Sequence, residues 1–292
     1  MPTDPTRNTN NHRRASRHSA LLPRLKLPKL LTQLALCAAS LSSPALVHAG
    51  QNCNDAKPSP NTVARSMQLA QQTAEALEAD YRLRGTRVVL LARAGQDLSR
   101  YGQTWSHVGW AYRSPAGPWR VVHKLNQCGT DRAVLMRQGL GEFFLDDLWR
   151  YQAIWTAPPA PLADALWTLL QDNHRAGALH HRRYNMLSYT WGTRYQQSNQ
   201  WALETLALAA EPGIGTREQA QAWLRFKGYQ PSVLKIRALT RLGANATRAN
   251  IAFDDHPSAQ RFTNRIETTT ADSILQWLPH SLLFSAPQQI RQ

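Results

Sequence analysis

The chain has few cysteines, few acidic side chains and no long uninterrupted apolar run. Its 292 residues include three cysteines, and 19 Asp and Glu stand against 34 Lys and Arg, for a formal net charge of +15. Three cysteines allow at most one disulfide bond. The excess of basic side chains favours acidic partners through long-range attraction. Without repeats or linker-like segments, the chain is expected to form one large domain or one domain with an extension.

The first 49 residues have the three parts of a secretory signal. A basic segment, 1–29, holds a single acid, and an apolar stretch follows from Leu30 to Leu46. Val47-His48-Ala49 provides the short residues that signal peptidases recognise. Because Gln33 and several serines interrupt the apolar stretch, it is a poor permanent span, which needs about 20 apolar residues. We expect cleavage after Ala49 and export to the periplasm or beyond, and an uncleaved anchor is the alternative.

The chain after this signal is still basic. Residues 50–292 keep 27 Lys and Arg against 18 Asp and Glu. In an exported protein this charge favours anionic lipid or cell-wall polymer, whereas the alternative is a solvated surface without a partner. Nucleic acid is not expected, because no compact basic and aromatic motif is present. The predicted parts are a leader and helix (50–86), a core (87–210) and a helical or irregular C-terminal extension packed on the core (211–292).

Two cysteines, Cys53 and Cys128, follow the signal. In an oxidising compartment they predict one disulfide bond between the N-terminus and the segment after a strand. Two unrelated thiols are the alternative.

Hydrophobic periodicity predicts both helices and strands. The turn cluster Ser114–Pro118 lies between two of the strands and indicates a hairpin. If Arg113 pairs with Trp119, then His107 and His123 share one face as diagonal neighbours, whereas a slip of one residue separates them. The predicted helices are 62–81, 141–150, 161–173, 198–210, 216–226 and 271–278, and the predicted strands are 87–94, 103–113, 119–126, 151–156, 250–253 and 265–268.

The residues with candidate chemistry come from a strand and from a helix start. Ser198 opens a helix, where unpaired N–H groups and the helix dipole stabilise an anion. A serine hydroxyl needs an adjacent base, and His107 is the candidate. His123 or Asn126 would orient that imidazole, and Gln196, Gln197 or a backbone N–H would donate to an oxyanion. The alternatives are a helix-capping serine and ordinary hydrogen-bonded histidines.

Taken in order, these motifs resemble a known group of proteins. Ser106-His107-Val108-Gly109 on a strand, His123 on the return strand and Gln197-Ser198-Asn199-Gln200-Trp201 at a helix start are similar to the permuted branch of the NlpC-type, papain-like hydrolases. The run from about Ala92 to Leu208 more closely resembles the bacterial domain of unknown function 2145. The segments that carry this resemblance are Val122–Asn126, Gln138–Leu140 and Tyr184-Asn185 through Trp201.

The resemblance implies an α+β fold with a permuted papain-like (NlpC-type) core, in which a small antiparallel sheet packs on helices. It also implies hydrolysis of amide, peptide or ester bonds in cell-wall peptides or lipids. By position, His107 matches the catalytic histidine, His123 the polar third residue and Ser198 the nucleophile, which is cysteine in active permuted members. Either the site uses serine, or the fold binds without cutting. A shift of one residue would put Asn199 at the key position.

No metal or other cofactor is predicted. Asp254-Asp255-His256 has no recognised metal-site spacing, and a turn before Pro257 explains it better. The segment His174–Arg183 is rich in histidine and arginine, so it would either meet an anionic substrate or remain solvated.

Overall fold

The computed structural model describes residues 57–146, 148–282 and 284–292. The predicted signal peptide and Cys53 lie outside this part, so the bridge to Cys128 stays a prediction. In the described part, no helix is both long enough and apolar enough to cross a bilayer.

The described residues form helices and strands in mixed order. The strands are β1 (Val88–Ala94), β2 (His107–Arg113), β3 (Trp119–Asn126), β4 (Ala133–Gly139), β5 (Arg150–Thr156), β6 (Ser232–Lys235), β7 (Arg265–Thr268) and β8 (Gln288–Arg291). The helices are α1 (Pro60–Arg84), α2 (Leu140–Phe144), α3 (Ala160–Gln171), α4 (Asn173–Ala176), α5 (Ser198–Ala210), α6 (Arg217–Phe226), α7 (Ala238–Thr247), α8 (Ser258–Arg261) and α9 (Ala271–Ser281), with a 3-10 turn at Ser99–Tyr101.

The main sheet is antiparallel and has the strand order β4-β3-β2-β1-β5-β8, while β6 and β7 form a separate pair. This confirms the predicted α+β class with a small antiparallel sheet. The strand β8 extends the edge of the sheet at β5, so the sheet includes residues well beyond 210.

Two predicted elements are wrong. The helix predicted over 141–150 ends at Phe144, and the chain is already extended at Arg150, where β5 begins. Residues 250–253 are not a strand. Both predictions rested on short apolar runs, for which periodicity distinguishes strand, helix and loop poorly.

Alternation along the strands gives the sheet two buried faces. Val108, Trp110 and Tyr112 of β2 pack with α3, α5 and α9, and we call this side the α5 face. Ala111 of β2 and Val121 of β3 pack with α1 and α2 on the other side, which we call the α1 face. Every second residue of β2 therefore faces the same helices.

A buried polar cluster fixes α5 behind the sheet. Glu204 is fully buried on α5 and accepts hydrogen bonds from Arg217 and Gln221 of α6. Gln196 donates to Glu204 and accepts from Lys124 of β3 at 2.8 Å. Burial is the largest cause that lowers the pKa of Lys124 well below its usual value, followed by the charge of Arg217. The cluster joins β3, α5 and α6 through charge-assisted bonds.

Candidate functional site

The hairpin of β2 and β3 brings the two predicted histidines together. Arg113 pairs with Trp119 and Trp110 with Val122, which is the predicted register. His107 Nε2 lies 2.8 Å from His123 Nδ1. The prediction that the two histidines share a face is therefore confirmed.

Gly109 makes room for this pair. A Cβ atom at this position would lie 2.6 Å from Val121 Cγ1 and 3.0 Å from His123 Cβ. Any larger residue at 109 would therefore push His123 from its place beside His107.

A third residue, Gln138 of β4, completes a directed chain of hydrogen bonds. His123 Nε2 lies 2.7 Å from Gln138 Oε1, an acceptor, so His123 carries its proton on Nε2. Its Nδ1 then accepts from His107 Nε2, which leaves the lone pair of His107 Nδ1 unused. This Nδ1 has no hydrogen-bond partner among the described residues.

Both imidazoles are held neutral. Burial is the largest cause that lowers the pKa of His107 well below its usual value, and the charges of Arg93 and His123 lower it further. Burial and Arg93 lower the pKa of His123 to about 3, although its bond to Gln138 acts in the opposite direction. A neutral His107 presents a hydrogen-bond acceptor rather than a cation.

A groove of about 170 Å³ lies along His123 on the α1 face. Arg93 is almost fully buried at its wall and donates to the Phe143 carbonyl and to Asp146. The Glu142 carboxylate accepts from the Gly139 N–H at the start of α2. The remaining lining residues are Leu125, Gln138 and Leu145.

Ser198 lies apart from this chain. It is the first residue of α5, as predicted, and it is buried. The ring of His107 contacts Phe143 of α2 on the α1 face, whereas α5 packs on the opposite face. The hydrogen bond expected between His107 and Ser198 is not among the described contacts, in which His107 Nε2 bonds with His123 instead.

The predicted supporting residues have structural partners. Asn199 Oδ1 accepts from the Val108 N–H at 3.1 Å, and its Nδ2 donates to the Ser106 carbonyl, so it clamps α5 to both sides of His107. Gln197 donates to Thr268 and to the carbonyl of Thr269.

Asn126, the last residue of β3, makes no hydrogen bond with His107 among the described contacts. It donates to the carbonyls of Thr130 and Arg132 in the turn before β4. Gln138 orients His123 but was not predicted as a site residue, because its strand, β4, was not predicted. Met136 pairs with His123 across the two strands, and Gln138 lies two positions after Met136. A polar residue at that spacing was the signal that the sequence offered.

Asp254-Asp255-His256 forms hydrogen bonds and an ion pair that stabilise a turn. Asp255 accepts from His256 Nδ1 and from the Tyr189 N–H, while Asp254 pairs with Arg194. Among the described residues, no group of three or more His, Cys, Asp or Glu could hold a metal ion.

In the segment 174–183, His174 and Arg175 lie in the short helix α4. His180 is partly buried, and burial is the largest cause that lowers its pKa to about 4.

No curated protein and no solved structure matches this chain at a significant level. A family model matches residues 80–278, and the family is described as "Uncharacterized protein conserved in bacteria (DUF2145)". The match spans more than half of the chain and includes the histidine pair, Gln138 and α5. The chain therefore belongs to the bacterial family DUF2145.

Proposed function

We propose that this protein binds an uncharged amide segment of cell-envelope material, such as a wall peptide, beside the His107–His123–Gln138 chain, and that it does not cut the segment. One observation carries the proposal: His107 Nε2 bonds with His123, and among the described contacts no hydrogen bond joins the Ser198 hydroxyl to the His107 imidazole. A serine hydroxyl without a base in hydrogen-bond contact is a poor nucleophile.

The charges of the groove favour a neutral polar ligand. Two guanidinium nitrogens of Arg93 already bind Asp146 and a carbonyl, while its buried Nε has no hydrogen-bond partner among the described residues. Glu142 and Asp146 repel anionic groups from the same groove. The neutral His123 and the amide of Gln138 line the groove, and a neutral amide segment suits such a lining.

We expect export to bring the protein to cell-envelope material. The predicted signal directs the chain out of the cytoplasm, and the basic surface attracts anionic wall polymer or lipid by charge. Long-range attraction would then concentrate the protein at the envelope while the groove selects a neutral segment.

A titration of the protein with a synthetic wall-type tetrapeptide amide tests this proposal. Gln138→Ala frees His123 from its orienting bond, and we expect about tenfold weaker binding, because one buried hydrogen bond is worth about 1 kcal/mol or more. Ser198→Ala is expected to leave the affinity unchanged. Gln68→Ala is the matched control, since Gln68 is exposed on α1.

Isothermal calorimetry gives the dissociation constants, and the same samples are assayed for cleavage of the peptide. The absence of saturable binding, or equal weakening by Gln68→Ala and Gln138→Ala, would contradict the proposal. Cleavage of the peptide that disappears in Ser198→Ala would instead support hydrolysis through Ser198, which is the second candidate function.

That second function is amide or ester hydrolysis through Ser198 on a permuted papain-like core. Two observations favour it. The N–H groups of Ser198, Asn199 and Gln200 have no hydrogen-bond partners among the described residues, as an oxyanion site requires. The unused Nδ1 of His107 is also the atom that a base would offer. Turnover then requires the Ser198 hydroxyl to reach that atom.

A further inference from the structure

A second cavity, of about 310 Å³, lies between the end of α6 and the β6–β7 pair. It shares no lining residue with the groove at His123. Its walls include Trp191, Arg225, Tyr229, Gln230, Val233 and Glu267. The cavity therefore has the Trp191 ring in its wall, with a cation, a carboxylate and an amide at its surface.

Arg225 has unused donors. Its guanidinium lies 4.5 Å from the centre of the Trp191 ring, and in the described part of the chain it makes no hydrogen bond or ion pair. The guanidinium group has five N–H donors in a fixed plane. The contact with Trp191 orients this group without using those donors.

Glu267 has an unused acceptor. Its Oε2 accepts from Gln260 Nε2 at 3.0 Å, whereas Oε1 has no partner within the described ranges. Tyr229 is almost fully buried and its hydroxyl bonds with Ser273, so it presents neither its hydroxyl nor its ring face to a ligand. Gln230 is exposed and adds an amide with both a donor and an acceptor.

The charges of Arg225 and Glu267 cancel, so the cavity has no strong preference for either sign of ion. It offers donors and acceptors next to the partly exposed ring of Trp191, which suits a ligand with many hydroxyl groups and apolar C–H faces. We infer that this cavity binds a sugar unit of a glycan, with Arg225 and Glu267 bonding its hydroxyl or acetamido groups. The inference does not depend on the proposed function of the groove.

A titration of the full chain with chitotetraose, a soluble oligosaccharide of N-acetylglucosamine, tests the inference by calorimetry. We expect saturable binding that Arg225→Ala and Glu267→Gln each weaken about tenfold, because each change removes a hydrogen bond to a charged group. Arg265→Ala is the matched control, since Arg265 is exposed on β7 and its side chain does not line the cavity. Thermal melting of each variant verifies that it folds.

Three results would overturn the inference. One is the absence of saturable binding by the folded wild type. Another is equal weakening by Arg265→Ala and by the two cavity variants. Competition by acetate that depends on Arg225 alone would also overturn it, because the cavity would then be a simple anion site. Loss of peptide binding at the groove would leave the sugar titration unaffected.

Discussion

Glu204→Ala is expected to lower the free energy of unfolding by about 3–5 kcal/mol, because it leaves the buried Arg217 guanidinium without its counter-charge. Arg217 donates to both carboxylate oxygens of Glu204, at 2.7 and 3.0 Å. Arg217 is buried, so its charge stays in a low-dielectric site when the carboxylate is removed, and the cost of its burial remains.

Urea unfolding followed by circular dichroism measures this loss. Glu211→Ala is the matched control, because Glu211 is an exposed acid at the end of the same helix, and its change should stay within about 0.5 kcal/mol. A loss below about 1 kcal/mol in Glu204→Ala would show that the cluster does not hold α5 in place.

Trp110→Ala is expected to cost about 3–5 kcal/mol, the usual range for removal of a buried tryptophan. Trp110 is almost fully buried on the α5 face of β2, and its Nε1 donates to the Ala202 carbonyl at 3.0 Å. The substitution leaves a large cavity between the sheet and α5 and also removes the donor to that carbonyl.

Trp110→Phe separates these two contributions, because it keeps most of the ring and loses only the donor. It should cost clearly less than Trp110→Ala in the same urea experiment. Phe226→Ala is the surface control, since the Phe226 side chain is 82% exposed. Equal losses in Trp110→Ala and Phe226→Ala would contradict the packing of α5 on this face.

The β2–β3 hairpin could be predicted from the sequence because its signals are local. The turn cluster and the alternation of the strands define the register, and the register brings His107 and His123 together. The start of α5 at Ser198 was predicted for the same reason, since a polar residue opens a long apolar run.

The position of the serine relative to the histidines could not be predicted in this way. Side chains alternate along a strand, so His107 and Trp110 point to opposite faces of the sheet. This alternation does not indicate which face is covered by a helix that is distant in sequence. That choice depends on contacts far apart in sequence, such as Trp110 with Ala202. Gln138 was missed for a related reason, because β4 has little hydrophobic alternation, with most of its residues only partly buried.

The most direct test is a long-range ¹H–¹⁵N NMR measurement of His107, in the wild type and in Ser198→Ala, from pH 5 to 8. The structure predicts a neutral ring with its proton on Nε2 throughout this range, because burial and Arg93 hold its pKa well below the usual value. Ser198→Ala should leave the signals unchanged. An imidazole that titrates near pH 7, with a pKa that moves when Ser198 is replaced, would show that the two residues form a catalytic pair and would contradict the account.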